Sequence, residues 1–360
     1  MHVCICHDVM DVNKYMLTKS RIYSIDTLRF AAVFGVICMH FQSFRQISYP
    51  VNAIIDQVAN FAVPFFFLVS GYLFRKKIMA GDDAYWRYSR MMKRLCLIFW
   101  TWSAIYLFVP ANPVMLTQAK QLGLISGLKM IFNSKIDAIK SNPLDFLLAG
   151  TSIQLWYLVS LAMGLTLLFI FMKLRIEDKL LYLAVPLYCF QILAGPLSNT
   201  RIGIHIGTAY WLGPFVSTLF VGIGALIAKK EYRPSPQLAY WLILAGLVMQ
   251  LGEWLLLHTI YGWDRFRQTG YLIGTVLYAT GFLLLALTIP SMGYRTGLTR
   301  LGKFTLGIYL THMIFIPFAQ KLNGTLPKHI GEVGPLGVLA ASLLLTIILI
   351  QLPYLRRIVT

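Results

Sequence analysis

Five ionisable side chains stand inside otherwise apolar runs: Asp26, Arg29 and His40 within residues 25–44, Glu253 within 237–257 and His312 within 304–320, with His258 at the end of a run. Burying such groups in hydrocarbon is costly, so each is a candidate for function when it faces a partner or a wet cavity. Arg29 and His40 are eleven residues apart, which on a helix places them on one face about 16 Å apart along the axis. Asp26 lies one turn before Arg29, within reach of its guanidinium. One stripe therefore offers a cation suited to an anionic group and, deeper in, an imidazole that can accept a proton when neutral. The same stripe also has a structural reading, an Asp26–Arg29 pair locking a helix interface with His40 satisfied by a carbonyl. The alignment of all three favours function.

Further groups could serve the same chemistry. His312 follows Tyr309 by three residues, so both can point into one cavity or into a helix interface. Glu253 is the one acid within the later apolar runs, a second proton acceptor or a partner for His312 or Arg29. Arg87, Arg90 and Arg94 recur at i, i+3 and i+7 on one helical face, and guanidinium forks suit phosphate oxygens. Ordinary topogenic charge is the competing explanation for them. Ser70 and Gly71 offer a hydroxyl and a close backbone approach, or simply tight helix packing. Trp156 and Tyr157 belong to an interfacial aromatic belt or stack on a sugar ring. The five cysteines (Cys4, Cys6, Cys38, Cys96, Cys189) form no C-x-x-C pair and no framework, so neither a disulfide scaffold nor a zinc or other metal site is expected.

The elements that must position these groups are read from composition. Of 360 residues, 58% are hydrophobic and 13% charged, and mean hydropathy is +0.67. These values exclude an ordinary soluble globule and predict an all-α polytopic membrane protein. About ten apolar runs are long enough to cross a bilayer: 25–44, 57–74, 95–109, 153–172, 180–197, 209–228, 237–257, 269–289, 304–320 and 334–353. The formal charge of +18 sits between these runs, which suits topology and lipid headgroups and not nucleic acid. With strict alternation and an inside N-terminus, 21 Lys and Arg fall on the cytoplasmic side and 10 on the other, predicting ten spans with both termini inside. The organisation expected is a cytoplasmic segment over 1–24, a membrane domain over 25–353 and a cytoplasmic tail over 354–360. The first apolar run is too long for a cleaved signal peptide and reads as a retained anchor. In the long outer connection 110–152, Met115, Ala119, Leu122, Ile125, Leu128 and Phe132 recur at helical spacing, predicting an interfacial amphipathic helix.

Several stretches resemble one family, in order. RIYSIDTLRFAAVFGVICMHF (21–41) is similar to the opening of the integral-membrane acyltransferase 3 family, whose first helix carries an Arg, ten residues and a His. FFFLVSGYLF (65–74), RYSRMMKRL (87–95), QLWYL (154–158) and LGKFTLGIYLTH (301–312) resemble its later motifs, although Gln154 stands where many relatives have His. The resemblance implies transfer of an acetyl or other small acyl group from cytoplasmic acyl-coenzyme A, with acetyl-CoA as co-substrate, to a hydroxyl of an envelope glycan or lipid-linked saccharide at the bacterial inner membrane. In that reading His40 is the general base, assisted by Arg29 and Asp26. Arg87, Arg90 and Arg94 anchor the donor's phosphates, and Ser70, Trp156, Glu253, Tyr309 and His312 line the substrate path. The different reading is a glycan or small-anion transporter using the same stripe, and a blander one is an assembly scaffold. The sequence contains no pair of matching broken helices in two halves, which a transporter built on inverted repeats would favour.

Overall fold

The computed structural model describes residues 21–41, 49–206, 212–232, 234–262, 270–324 and 334–359. Most of the expected segment 1–24 lies outside them. The described residues form helices and no strands. They are α1 (Tyr23–Phe41), α2 (Tyr49–Ala59), α3 (Ala62–Met79), α4 (Ala84–Tyr106), α5 (Pro113–Gln121), α6 (Leu124–Ser141), α7 (Pro143–Ala149), α8 (Trp156–Lys173) and α9 (Leu180–Ala194). There follow α10 (Pro214–Lys229), α11 (Pro236–Tyr261), α12 (Ile273–Thr288), α13 (Gly297–Leu301), α14 (Thr305–Asn323) and α15 (Gly334–Gln351).

Six of these stretches are long and apolar enough to cross a membrane: Tyr23–Phe41, Ala53–Met79, Ile153–Lys173, Pro236–Tyr261, Gly297–Asn323 and Gly334–Gln351. The shorter α10 and α12 are apolar as well. Of the ten runs read from sequence, α4 carries Arg87, Arg90, Lys93 and Arg94 in its first half, and α9 has 15 residues with Pro186 inside. Leu244, Val248 and Leu256 on α11 are exposed at 52%, 60% and 57%, an outward apolar face that only lipid would satisfy.

Small residues set the spacing of the bundle. A Cβ at Gly71 would run into the Val221 carbonyl, and one at Gly224 into the Leu68 carbonyl, so α3 and α10 meet backbone to backbone. The residue Gly71 thus does the packing, while Ser70 beside it faces elsewhere.

Two expectations are revised. Helix α4 begins at Ala84, well before the apolar run at 95, because the Asp83 carboxylate accepts the Trp86 N–H at 2.6 Å and caps it. The basic residues are therefore the first turns of the helix and not a segment preceding it. The stretch 110–152 is three helices, α5 to α7, since Gly123 at φ +81° breaks the stripe after Leu122. Residues 354–359 pack against the bundle: Ile358 and Val359 are buried, and the Trp102 indole donates to the Ile358 carbonyl at 3.0 Å.

Candidate active site

The start of α1 is held from several sides. Ser24 donates to the Ala286 carbonyl at 2.5 Å, and Thr27 donates to the Met292 carbonyl at 3.3 Å. Gly302 lies so close to Asp26 that a Cβ there would collide with its backbone and side chain. The turn between α13 and α14 is thereby pressed onto the first turn of α1. The Asp26 carboxylate takes Arg21 at 2.7 Å and Arg29 more loosely at 3.8 Å. Arg21 is thus its main partner, and the Arg29 guanidinium keeps donors for something else.

That something else is a cavity of about 340 Å³ enclosed by α1, α3, α4, α8 and the start of α14. Its polar lining includes Asp26, Arg29, Ser70, Arg94, Tyr157, Lys303 and Tyr309, and its walls include Phe66, Leu95, Ile98 and Leu161. Three cations against one carboxylate, in a half-apolar pocket, make a site for an anion that carries an organic body. Ser70 lines it while donating to the Phe66 carbonyl at 2.7 Å.

Behind the cavity lies a closed layer. The Tyr309 hydroxyl donates to the Gln154 carbonyl at 2.5 Å, and the Tyr106 hydroxyl donates to the Leu310 carbonyl at 2.6 Å. Ser152 donates to the Gln154 side-chain carbonyl at 2.6 Å. Within this layer His312 is fully buried, its Nδ1 2.6 Å from the Tyr309 carbonyl. A carbonyl only accepts, so Nδ1 carries the proton, and Nε2, which has no hydrogen-bond partner, presents a lone pair in the neutral ring. The His312 ring is 5.7 Å from that of Tyr309 and 5.3 Å from that of His40, and Tyr157 and Tyr309 are 5.4 Å apart. His40 does not line the Arg29 cavity. It is joined to it through Tyr309 and His312, because eleven residues of helix carry it beyond the cavity's depth.

The remaining sequence candidates divide. Of the three arginines on one face of α4, Arg94 lines the cavity, whereas Arg87 pairs with Asp82 at 3.4 Å and Arg90 lies over the Trp86 ring at 5.1 Å. Trp156 is buried edge-on against Phe67 and faces away, while its neighbour Tyr157 faces the cavity. Adjacent helical residues point about 100° apart, and sequence alone does not say which of the two turns inward. Glu253 accepts the Gly274 N–H at 2.9 Å, so it caps α12 and does not meet His312 or Arg29. Sequence reasoning did not single out Lys303, Tyr106 or a role for Gln154. The first sits inside the LGKFTLGIYLTH motif, a usable signal, but a tyrosine or glutamine within an apolar run carries none.

No group of three or more His, Cys, Asp or Glu among the described residues is placed to hold a metal. The chain is similar to an amino-acid racemase of Enterococcus faecalis, 27% identical over 209 residues that make up 57% of this chain and 26% of that protein. The chain thus matches about a quarter of that relative's length. No solved structure matches it. A family model described as an acyltransferase domain matches residues 22–355, nearly the whole chain, and each motif noted above falls inside that span except for Arg21 at the start of the first. The chain belongs to the acyltransferase 3 family of integral-membrane proteins.

Proposed function

We propose that this membrane acyltransferase takes an acetyl or other small acyl group from acyl-CoA and transfers it to a hydroxyl of an envelope glycan or lipid-linked saccharide. In this reading ten helices cross the bacterial inner membrane with both termini in the cytoplasm, and the Arg29 cavity opens toward the cytoplasm. Arg29, Arg94 and Lys303 hold the phosphates of the donor, and the pantetheine arm runs along Tyr157 and Tyr309 toward the buried imidazoles. The observation that carries the reading is that a three-cation cavity backs directly onto the Tyr309–His312–His40 contact chain.

The chemistry follows from these placements. The acceptor oxygen attacks the thioester carbonyl carbon and its proton passes to His40, with the His312 lone pair 5.3 Å away between ring centres as a second acceptor. The C–S bond breaks, the acyl–oxygen bond forms, and the thiolate leaves and takes up the proton as free CoA. Layered packing of Tyr106, Gln154 and Tyr309 keeps bulk water from the thioester.

Membranes carrying the protein, supplied with acetyl-labelled CoA, are expected to move label onto saccharide, and His40→Ala is expected to abolish transfer while CoA binding persists. Transfer at the wild-type level in H40A rejects the role of the imidazole. Saccharide moving across sealed vesicles without taking up label favours the transport reading instead.

A further inference from the structure

A second cavity, of about 360 Å³, lies on the far side of the closed layer. It is lined by Tyr106, Lys135, Asn142, Phe146, Ser152 and Met313, among others. Three stretches of chain meet both cavities in a consistent order. On α4, Arg94 and Ile98 line the first and Tyr106 the second; on α14, Tyr309 lines the first and Met313 the second. On the stretch leading into α8, Ser152 lines the second and Tyr157 the first. The cavities are therefore stacked end to end along the bundle. Tyr309 and Met313 are four residues apart, about 6 Å of helix, with His312 between them. The two spaces are separated by little more than one turn, and that turn carries the buried imidazole.

We propose that the second cavity is the acceptor subsite and takes a hydroxyl-bearing saccharide. This rests on the acyltransferase reading above, since a pocket one turn from His312 is where an attacking hydroxyl must arrive. The lining suits that ligand class. Lys135 donates to the Thr151 carbonyl at 2.7 Å, and its ammonium retains further N–H groups for sugar oxygens. Asn142 and Ser152 add amide and hydroxyl groups, and the Phe146 ring supplies the apolar wall that the C–H face of a sugar needs. Asp145 lies in the same lining and adds carboxylate oxygens that can accept from sugar hydroxyls.

The roof of this cavity is α6 and α7, and the roof has an oily outer side. Leu124 and Ile125 at its edge are 79% and 83% exposed. Those side chains suit the headgroup boundary of the bilayer, which places the opening where the saccharide of a lipid-linked acceptor would stand.

The test uses full-length protein in membranes with acetyl-labelled CoA and the host's own glycans, beside titration of purified protein with CoA. Ala138→Trp, which puts an indole into the cavity, and Lys135→Met are expected to lower label on saccharide at least tenfold while the CoA Kd stays within about twofold of wild type. Label at the wild-type level in A138W, with CoA binding intact and H40A inactive, overturns the acceptor subsite and leaves the acyltransferase reading standing. Transfer surviving in H40A instead removes the reading on which it rests. Should A138W not bind CoA, and so fail to fold, K135M decides alone by the same criteria. A free oligosaccharide and the same saccharide on a polyisoprenyl phosphate, offered in parallel, separate a soluble acceptor from a lipid-linked one.

Discussion

Replacing the three α4 arginines one at a time separates what spacing implies from what the fold does. All three share a helical face, yet only Arg94 lines the Arg29 cavity. Its neighbours in that lining, Met91, Leu95 and Ile98, are apolar, so a phosphate held there is shielded from water on that side. A hydrogen bond to a charged group is worth about 1.5–3 kcal/mol, so Arg94→Ala should raise the Kd for CoA by roughly ten- to hundredfold. Arg94→Lys should recover part of this, because an ammonium keeps the charge and loses the planar fork. Arg87→Ala and Arg90→Ala, whose side chains are engaged with Asp82 and Trp86, should leave the Kd within about twofold. The assay is calorimetric titration of detergent-solubilised wild type and variants with CoA at two salt concentrations. The effect of R94A should largely persist at high salt, because a partly buried charge pair is screened much less than an exposed one. Weakening by R87A or R90A equal to that of R94A would refute the assignment and restore the three to one site.

Two further outcomes follow from structural charges. Glu253→Gln should lower Tm by about a degree or two and leave the KM for acyl donor unchanged, because a carboxylate at a helix N-terminus contributes about 0.3–1 kcal/mol and Glu253 caps α12 without lining the Arg29 cavity. Asp178 sits 2.6 Å from Lys229, which holds its carboxyl below the ordinary carboxylate range. A group with a depressed folded pKa stabilises fully above its unfolded pKa and loses that contribution as pH falls through the folded value. Thermal melts should therefore lose stability in the acid range, and Lys229→Met should flatten that loss by lowering stability slightly near neutral pH while changing little in acid.

Much of the site is legible in sequence, because its chemistry depends on residues too costly to bury without cause. Arg29, His40 and His312 stand out as ionisable groups in apolar runs, and the structure brings the two imidazoles together. Tyr309 is legible from its helical register with His312. Hydropathy misleads where a helix is only partly within apolar surroundings: the charged first turns of α4 hide the element that delivers Arg94. It misleads again at Glu253, an isolated acid whose partner is a backbone N–H that no side-chain pattern advertises. The stripe over 110–152 keeps a helical phase across Gly123, so periodicity joins what a positive φ divides. Least legible is the closed layer, since Tyr106, Gln154 and Tyr309 act through bonds to main-chain carbonyls brought from distant turns.

That closed layer bears on the energetics of the cell as well as on catalysis. If, as proposed, one reactant enters from each side of the bilayer, the space between them risks becoming a leak for protons. Here the Tyr106 and Tyr309 hydroxyls each donate to a main-chain carbonyl and the His312 Nδ1–H is committed to another, so these three protons are held by the protein itself across the turn between the two spaces. In the proposed reading, the acyl group is handed across a turn whose hydroxyl and imidazole protons are already committed to the protein's own carbonyls.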